Sequence, residues 1–304
     1  KEGNVPAMFD LGKMYFDRLL EEANDKKAEF LFRYALGGYT ALEQAKESDF
    51  YEYQIGRLYG LKTSFQDYAE AKKWFELSAE KGNAYAMFAL GNIHYYGNGT
   101  EVHYEKAFAY FRSSAEENCV HSYFKLGYML RKGIGCEENI RESDVLFAKM
   151  IQYYEKKDIE KEDALNCYRL GQLFEKGWGT TKDISKAMEY YRAACKSNNA
   201  NAEFALGRLC FMQGNDEEGE YYINLAVEHG NAYAGEWYEQ WKDYWKSFYA
   251  HMGVSSALNL FCRLANIIND DAIQKIDGHN KTIVDSKERK ELAKKKQRLG
   301  IKMG

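Results

Sequence analysis

The sequence predicts an all-α protein, a solenoid of about seven stacked helix-turn-helix units. Three observations carry that prediction. Leu/Ile-Gly pairs recur at Leu11-Gly12, Ile55-Gly56, Leu90-Gly91, Leu126-Gly127, Leu170-Gly171 and Leu206-Gly207, in steps of 44, 35, 36, 44 and 36 residues. A period near 36 is that of a helical-hairpin array, in which each unit buries its apolar face against its neighbours. The 304 residues hold a single proline, Pro6, where ordinary usage gives about fifteen, so little interrupts long helices. Finally, 45% of residues are hydrophobic, and they recur at spacings of three and four, the helical period.

The third unit shows how each element arises. Ala86-x-x-x-Leu90-Gly91-x-Ile93-His94 forms a first helix, A, and Gly97-Asn98-Gly99 ends it. Lys106-Ala107-x-x-Tyr110-Phe111-x-x-x-Ala115 forms a second helix, B. Gly82-Asn83 and Glu117-Asn118 mark turns between units. Small residues at Ala86, Gly91, Ala107 and Ala115 let helices approach closely, and the paired glycines suit a left-handed helix end. Gly133-Ile134-Gly135 and Gly177-Trp178-Gly179 repeat that turn, and Lys186-Ala187-x-x-Tyr190-Tyr191 repeats helix B. Unit two has Gly60-Leu61-Lys62 instead, and unit six a short turn through Gly214-Asn215-Asp216. The two 44-residue steps predict inserted segments near Gly37–Ser48 and Lys156–Asp163. A seventh unit is predicted from Ala234-x-x-x-Tyr238, with helix B at Ala257-x-x-Leu260-Phe261-x-x-x-Ala265. Units therefore start near residues 7, 51, 86, 122, 166, 202 and 234, within a repeat domain over 1–269 that is followed by a tail over 270–304.

These motifs, with Ala-x-x-x-Asn-x-x-Ala over Ala79–Ala86, resemble the Sel1-like repeats, relatives of the tetratricopeptide repeats. The resemblance covers roughly residues 7–266. It implies a right-handed α/α superhelix that acts as an adaptor in protein complexes, with helix A lining a concave face that holds a protein or peptide.

Two residues after each Leu come Lys13, Arg57, Asn92, Tyr128, Gln172 and Arg208, with Gln240 in unit seven. All can hydrogen-bond, and the expectation is an exposed polar row available to a partner. On that reading, Arg57→Glu with Arg208→Glu weakens partner capture without lowering the melting temperature. One residue later come Met14, Leu58, Ile93, Met129, Leu173, Leu209 and Trp241, all apolar and expected in the core. Two residues before each Leu stand Phe9, Tyr53, Phe88, Phe124, Tyr168 and Phe204. This aromatic row reads as packing between repeats, since an exposed apolar ladder invites aggregation.

No catalytic signature accompanies the repeat. The six histidines include no His-x-x-x-His pair, so neither a metal nor any other cofactor is expected. His94 reads as a core histidine. The Gly-x-Gly turns follow helices and lack the Lys-Ser/Thr of a phosphate loop, and no Gly-x-Ser-x-Gly occurs. Cys119, Cys136, Cys167, Cys195, Cys210 and Cys262 form no Cys-x-x-Cys pair and read as buried thiols of a reducing compartment. No apolar run approaches the roughly 18 residues of a membrane span, so a cytoplasmic location without membrane partners is expected. A chain that opens at Lys1 rather than Met predicts a region of a larger bacterial protein.

Charge is segregated. Residues 281–304 carry nine Lys/Arg against three acidic side chains, a net +6, which leaves −10 on residues 1–280 out of a total of −4. Lys287, Arg289, Lys290, Lys294, Lys295, Lys296 and Arg298 are candidates to touch nucleic acid phosphates, in a helix begun by Ser286. Residues 257–271 with 286–304 loosely resemble the C-terminal end of relaxases from Gram-positive conjugative and mobilisable elements. That resemblance implies an accessory module of a DNA-mobilisation protein, with its catalytic residues in another domain. The first functional expectation is a non-catalytic scaffold for a protein partner; the relaxase module is the alternative.

Overall fold

A computed structural model describes residues 4–16, 24–156 and 163–251, the last seven of these as backbone only. The described residues form thirteen α-helices and no strand. They are α1 (Val5–Phe16), α2 (Asp25–Ala45), α3 (Asp49–Gly60), α4 (Tyr68–Glu80), α5 (Ala84–Tyr96), α6 (Tyr104–Glu116) and α7 (Val120–Lys132). Then come α8 (Ile140–Tyr154), α9 (Ala164–Lys176), α10 (Ile184–Cys195), α11 (Ala200–Met212), α12 (Asp216–Glu228) and α13 (Ala234–His251). Odd-numbered helices are the A helices of the repeat and even-numbered ones the B helices. The chain is an all-α repeat solenoid by class. It divides into two compact units, with the boundary inside α8 between Leu146 and Phe147.

Within the first unit, α1 packs on α2, α3 on α4 and α5 on α6, and each helix B also meets the next helix A. Within the second, α9 through α13 pack in sequence in the same way. The glycine of each Leu-Gly pair explains the close approach inside a repeat. A Cβ built on Gly12, Gly56, Gly91 or Gly171 would stand 2.4–2.9 Å from the ring of Phe32, Phe75, Phe111 or Tyr191, respectively. Only a glycine leaves room for that ring.

The turns inside repeats also follow one rule. Gly97, Gly133 and Gly177 end α5, α7 and α9 with φ of 65°, 63° and 68°. In each case the glycine N–H and the next N–H both donate to the carbonyl of Ile93, Met129 or Leu173, closing the helix end with a left-handed cap. α4, α6, α8 and α10 each start where an N–H bonds back to the last turn of helix A: Asp67 to Tyr59, His103 to His94, Asn139 to Leu130 and Asp183 to Phe174, at 2.8–2.9 Å. The Gly60-Leu61-Lys62 variant of unit two keeps this closure.

Between repeats, a left-handed residue precedes the N-cap of the next helix A: Gly82, Asn118, Asn198 or Gly230. Asn83 then accepts from the N–H groups of Tyr85 and Ala86 while donating to Asp49 Oδ2 at 2.9 Å. Asn231 does the same for α13 and donates to Asn201. One side chain thus caps its own helix and ties it to the previous helix A.

The insertion expected near Gly37–Ser48 takes the form of helix. α2 runs for 21 residues against 12–15 in the other B helices. The second, near Lys156–Asp163, lies largely outside the described residues, as does helix B of the seventh unit. α13 runs for 18 residues, longer than any other helix A.

Candidate functional site

The polar row on the A helices is not one exposed surface. In the first unit, Lys13 is exposed, and Arg57 and Asn92 are half-buried. The Arg57 guanidinium lies 4.5 Å from the centre of the Phe9 ring and 5.6 Å from that of Tyr53, and donates to Gln54 Oε1 at 2.9 Å. It therefore links the polar row to the aromatic row of two successive repeats. Tyr128, however, is 2% exposed.

In the second unit the row is sealed. Gln172 is 7% and Arg208 3% exposed, contrary to the expectation of an open face. Gln172 donates to the Tyr168 hydroxyl at 3.0 Å. Arg208 is ion-paired to Glu175, whose other oxygen accepts from the Tyr191 hydroxyl at 2.7 Å. Burial would push the Glu175 carboxyl up, but the Arg208 charge and the bonds from Tyr191 and Arg208 together hold it below its ordinary value. Glu175 and Tyr191 were not among the residues expected to matter. The register alone did not mark Glu175: the same position holds Phe16, Gly60, Tyr95, Arg131 and Phe211 in the other repeats, a mixture of apolar and charged residues, and its burial beside Arg208 shows only in the structure. Arg208→Glu would set two carboxylates together in this interior, so it cannot leave stability unchanged as the sequence suggested. Gln240 on α13 is exposed.

The other two rows fare differently. Leu58, Ile93, Met129, Leu173 and Leu209 are buried as expected. Met14 is 40% exposed, because α1 has no described helix B before it. Trp241 is half-buried, packed on Phe211 with centroids 4.2 Å apart. The aromatic row is packing. Phe9, Tyr53, Phe88 and Tyr168 meet Phe32, Phe75, Phe111 and Tyr191 of their own repeats at 5.6–5.9 Å, and Phe204 meets Trp237.

His94 is buried and stacked on Tyr110 at 5.6 Å. Burial, with help from the Lys72 charge, holds its pKa below the ordinary value. Cys119, Cys136, Cys167, Cys195 and Cys210 stand as thiols. Burial pushes Cys195 up to about 12 and Cys210 to about 11, so both stay protonated and unreactive at neutral pH. Among the described residues no cluster of His, Cys, Asp or Glu has the arrangement of a metal site, and no helix is long and apolar enough to cross a membrane. Cys262 and the candidates Lys287, Arg289, Lys290, Lys294, Lys295, Lys296 and Arg298 lie outside the described residues.

The helix pairs, their left-handed glycine turns and the Leu-Gly contacts coincide with a known repeat. The Sel1 repeat pattern matches residues 5–36, 51–83, 84–119, 120–143, 167–199 and 200–231, well over half of the chain. The chain belongs to the Sel1 repeat family. Proteins with Sel1 repeats act in general as protein-interaction scaffolds, and the fold is typically non-catalytic. The Sel1 matches end at residue 231 and do not reach the segments likened to relaxases. No curated protein matches the chain in sequence. Similar solved structures include c5321, a protective antigen of uropathogenic Escherichia coli with an SLR fold, at 25% identity and a TM-score of 0.47 over 77% of this chain. This chain spans 48% of that protein's length. A Sel1 repeat protein from Oxalobacter formigenes is 22% identical, with a TM-score of 0.49, over 66% of this chain and 84% of its own.

Proposed function

We propose that this Sel1 repeat chain is a non-catalytic scaffold that holds an acidic segment of a partner protein against the A helices of its first three repeats. The supporting observation is the contrast along the polar row. Lys13, Arg57 and Asn92 reach solvent, whereas Tyr128, Gln172 and Arg208 are buried. Arg57, held by Phe9, Tyr53 and Gln54, offers a guanidinium whose orientation is already set, which lowers the entropic cost of engaging a carboxylate. Lys13 adds a second cation to the row. The partner protein captured by the wild-type chain, once identified, should bind Lys13→Glu/Arg57→Gln at least tenfold more weakly. Equal binding rejects the assignment.

The charge of residues 281–304, +6, supports a second reading, the accessory module of a DNA-mobilisation protein, with contact between DNA phosphates and this basic tail. A mobility-shift comparison of the whole chain with residues 1–280 on single-stranded DNA at low salt tests it. Binding lost with the tail supports it, and equally weak binding by both rejects it.

A further inference from the structure

His94 stands four residues after the Leu of its Leu-Gly pair, a register held by Tyr15, Tyr59, Leu130, Phe174 and Cys210 in the other repeats. Five uncharged side chains thus share a position with one imidazole, the side chain that most readily gains charge near neutral pH. The His94 side chain is 4% exposed. Its Nδ1 is buried and meets no hydrogen-bond partner among the described residues. The ring stacks on Tyr110 of α6 with 3° between the planes. The backbone carbonyl of the same residue accepts the His103 N–H at the start of α6, at 2.9 Å. One residue therefore closes helix A on helix B through both its backbone and its ring.

The surroundings oppose a positive charge on that ring. Lys72 of α4, Lys106 of α6 and His103 in the turn before α6 all disfavour the imidazolium. Glu76 of α4 favours it, but Glu76 is itself ion-paired to Lys72 at 3.5 Å. Both nitrogens of a charged imidazole are donors, and at Nδ1 no acceptor waits. The fifth repeat shows the same arrangement without the ionisable group. Phe174 takes the register of His94 and stacks on Tyr190 at 5.5 Å, with 9° between the planes. Lys186, in the register of Lys106, lies over the Phe174 ring at 4.5 Å. A phenyl face attracts that ammonium, whereas an imidazolium would repel it.

We propose that His94 is an acid-sensitive latch between α5 and α6: the neutral ring keeps the third repeat closed, and protonation loosens it while the fifth repeat, with Phe174 in that place, stays closed. A repeat touches only its neighbours, so one can open locally without unfolding of the whole chain. The folded repeat holds His94 below its ordinary value of 6.5, so it keeps the ring neutral at a pH where the unfolded segment has taken up a proton. The destabilisation is therefore absent above the ordinary value and grows as pH falls from there towards the folded one. The latch does not depend on what the A helices bind.

Amide hydrogen exchange of the full chain tests the latch, compared at neutral pH and about one unit below the ordinary histidine value, with the intrinsic exchange rate divided out. Protection in α5 and α6 should fall towards the limit of about tenfold per pH unit set by one linked proton. Protection in α9 and α10 should hold. His94→Phe, which installs the ring of the fifth repeat, should fold and remove the pH dependence from α5 and α6. An equal fall in wild type and His94→Phe, or no fall in the wild type, overturns the proposal. Titration of the wild-type His94 ring by NMR gives a second reading that needs no variant. Protonation below the ordinary histidine value supports the latch, and protonation at or above that value overturns it.

Discussion

At Gly91 the nearest atom to an added methyl group is Cδ1 of Phe111, 2.6 Å away, with Cε1 at the same distance. Phe111 is fully buried and cannot step aside without disturbing the core. Gly91→Ala should therefore destabilise by about 1–3 kcal/mol, the usual cost of overpacking. Gly37→Ala, on α2, is the matched control. Nothing lies within 4 Å of its added methyl, and loss of a helical glycine should stabilise by up to ~1 kcal/mol. Urea denaturation of both variants checks the pair, and equal midpoints would contradict the contact. That the Leu-Gly glycine permits close approach was legible in its recurrence. The ring it approaches was not, because that ring belongs to another helix about twenty residues on. The same holds for Arg208. Its residue type and register were visible, but its burial came from Glu175, a residue of a different repeat.

At the scale of elements, the Glu175–Arg208–Tyr191 cluster ties α9, α10 and α11 together. The folded Glu175 carboxyl titrates below the ordinary value of 4.5, so the folded protein keeps that charge at a pH where the unfolded chain has lost it. Its stabilisation is complete above the ordinary carboxylate value and is lost as pH falls through the folded value. Glu175→Gln should cost about 3–5 kcal/mol at neutral pH, because it leaves Arg208 buried without a counter-charge. The gap between wild type and variant should narrow as pH falls past the ordinary carboxylate value. A gap independent of pH would contradict the ion pair. The helix pattern itself was legible: the spacing of apolar residues, the paired glycines that follow α5, α7 and α9, and the inter-repeat turns at Gly82-Asn83 and Glu117-Asn118 all appear as expected. The form of the first insertion was not, because α2 absorbs the additional residues by running on as helix, and nothing in its sequence distinguishes that from a loop. Met14 shows the limit of pattern reading. Position in a repeat predicts burial only where a neighbouring repeat supplies the cover.

For the molecule as a whole, membership of the Sel1 family follows from residues that recur, whereas the proposed partner site is built from residues that do not. Lys13, Arg57 and Asn92 share one register but no common side chain, and each differs in exposure from Tyr128, Gln172 and Arg208 in that register. A repeat pattern therefore reveals the scaffold and leaves a partner site to be found from the structure. Binding of the captured partner to the wild-type chain and to Lys13→Glu/Arg57→Gln, with melting temperatures measured in parallel, tests the central claim most directly. The prediction is a loss of affinity of tenfold or more, with only the small drop in melting temperature that follows from losing the Arg57 contacts with Phe9, Tyr53 and Gln54. Equal affinity for both chains would contradict it.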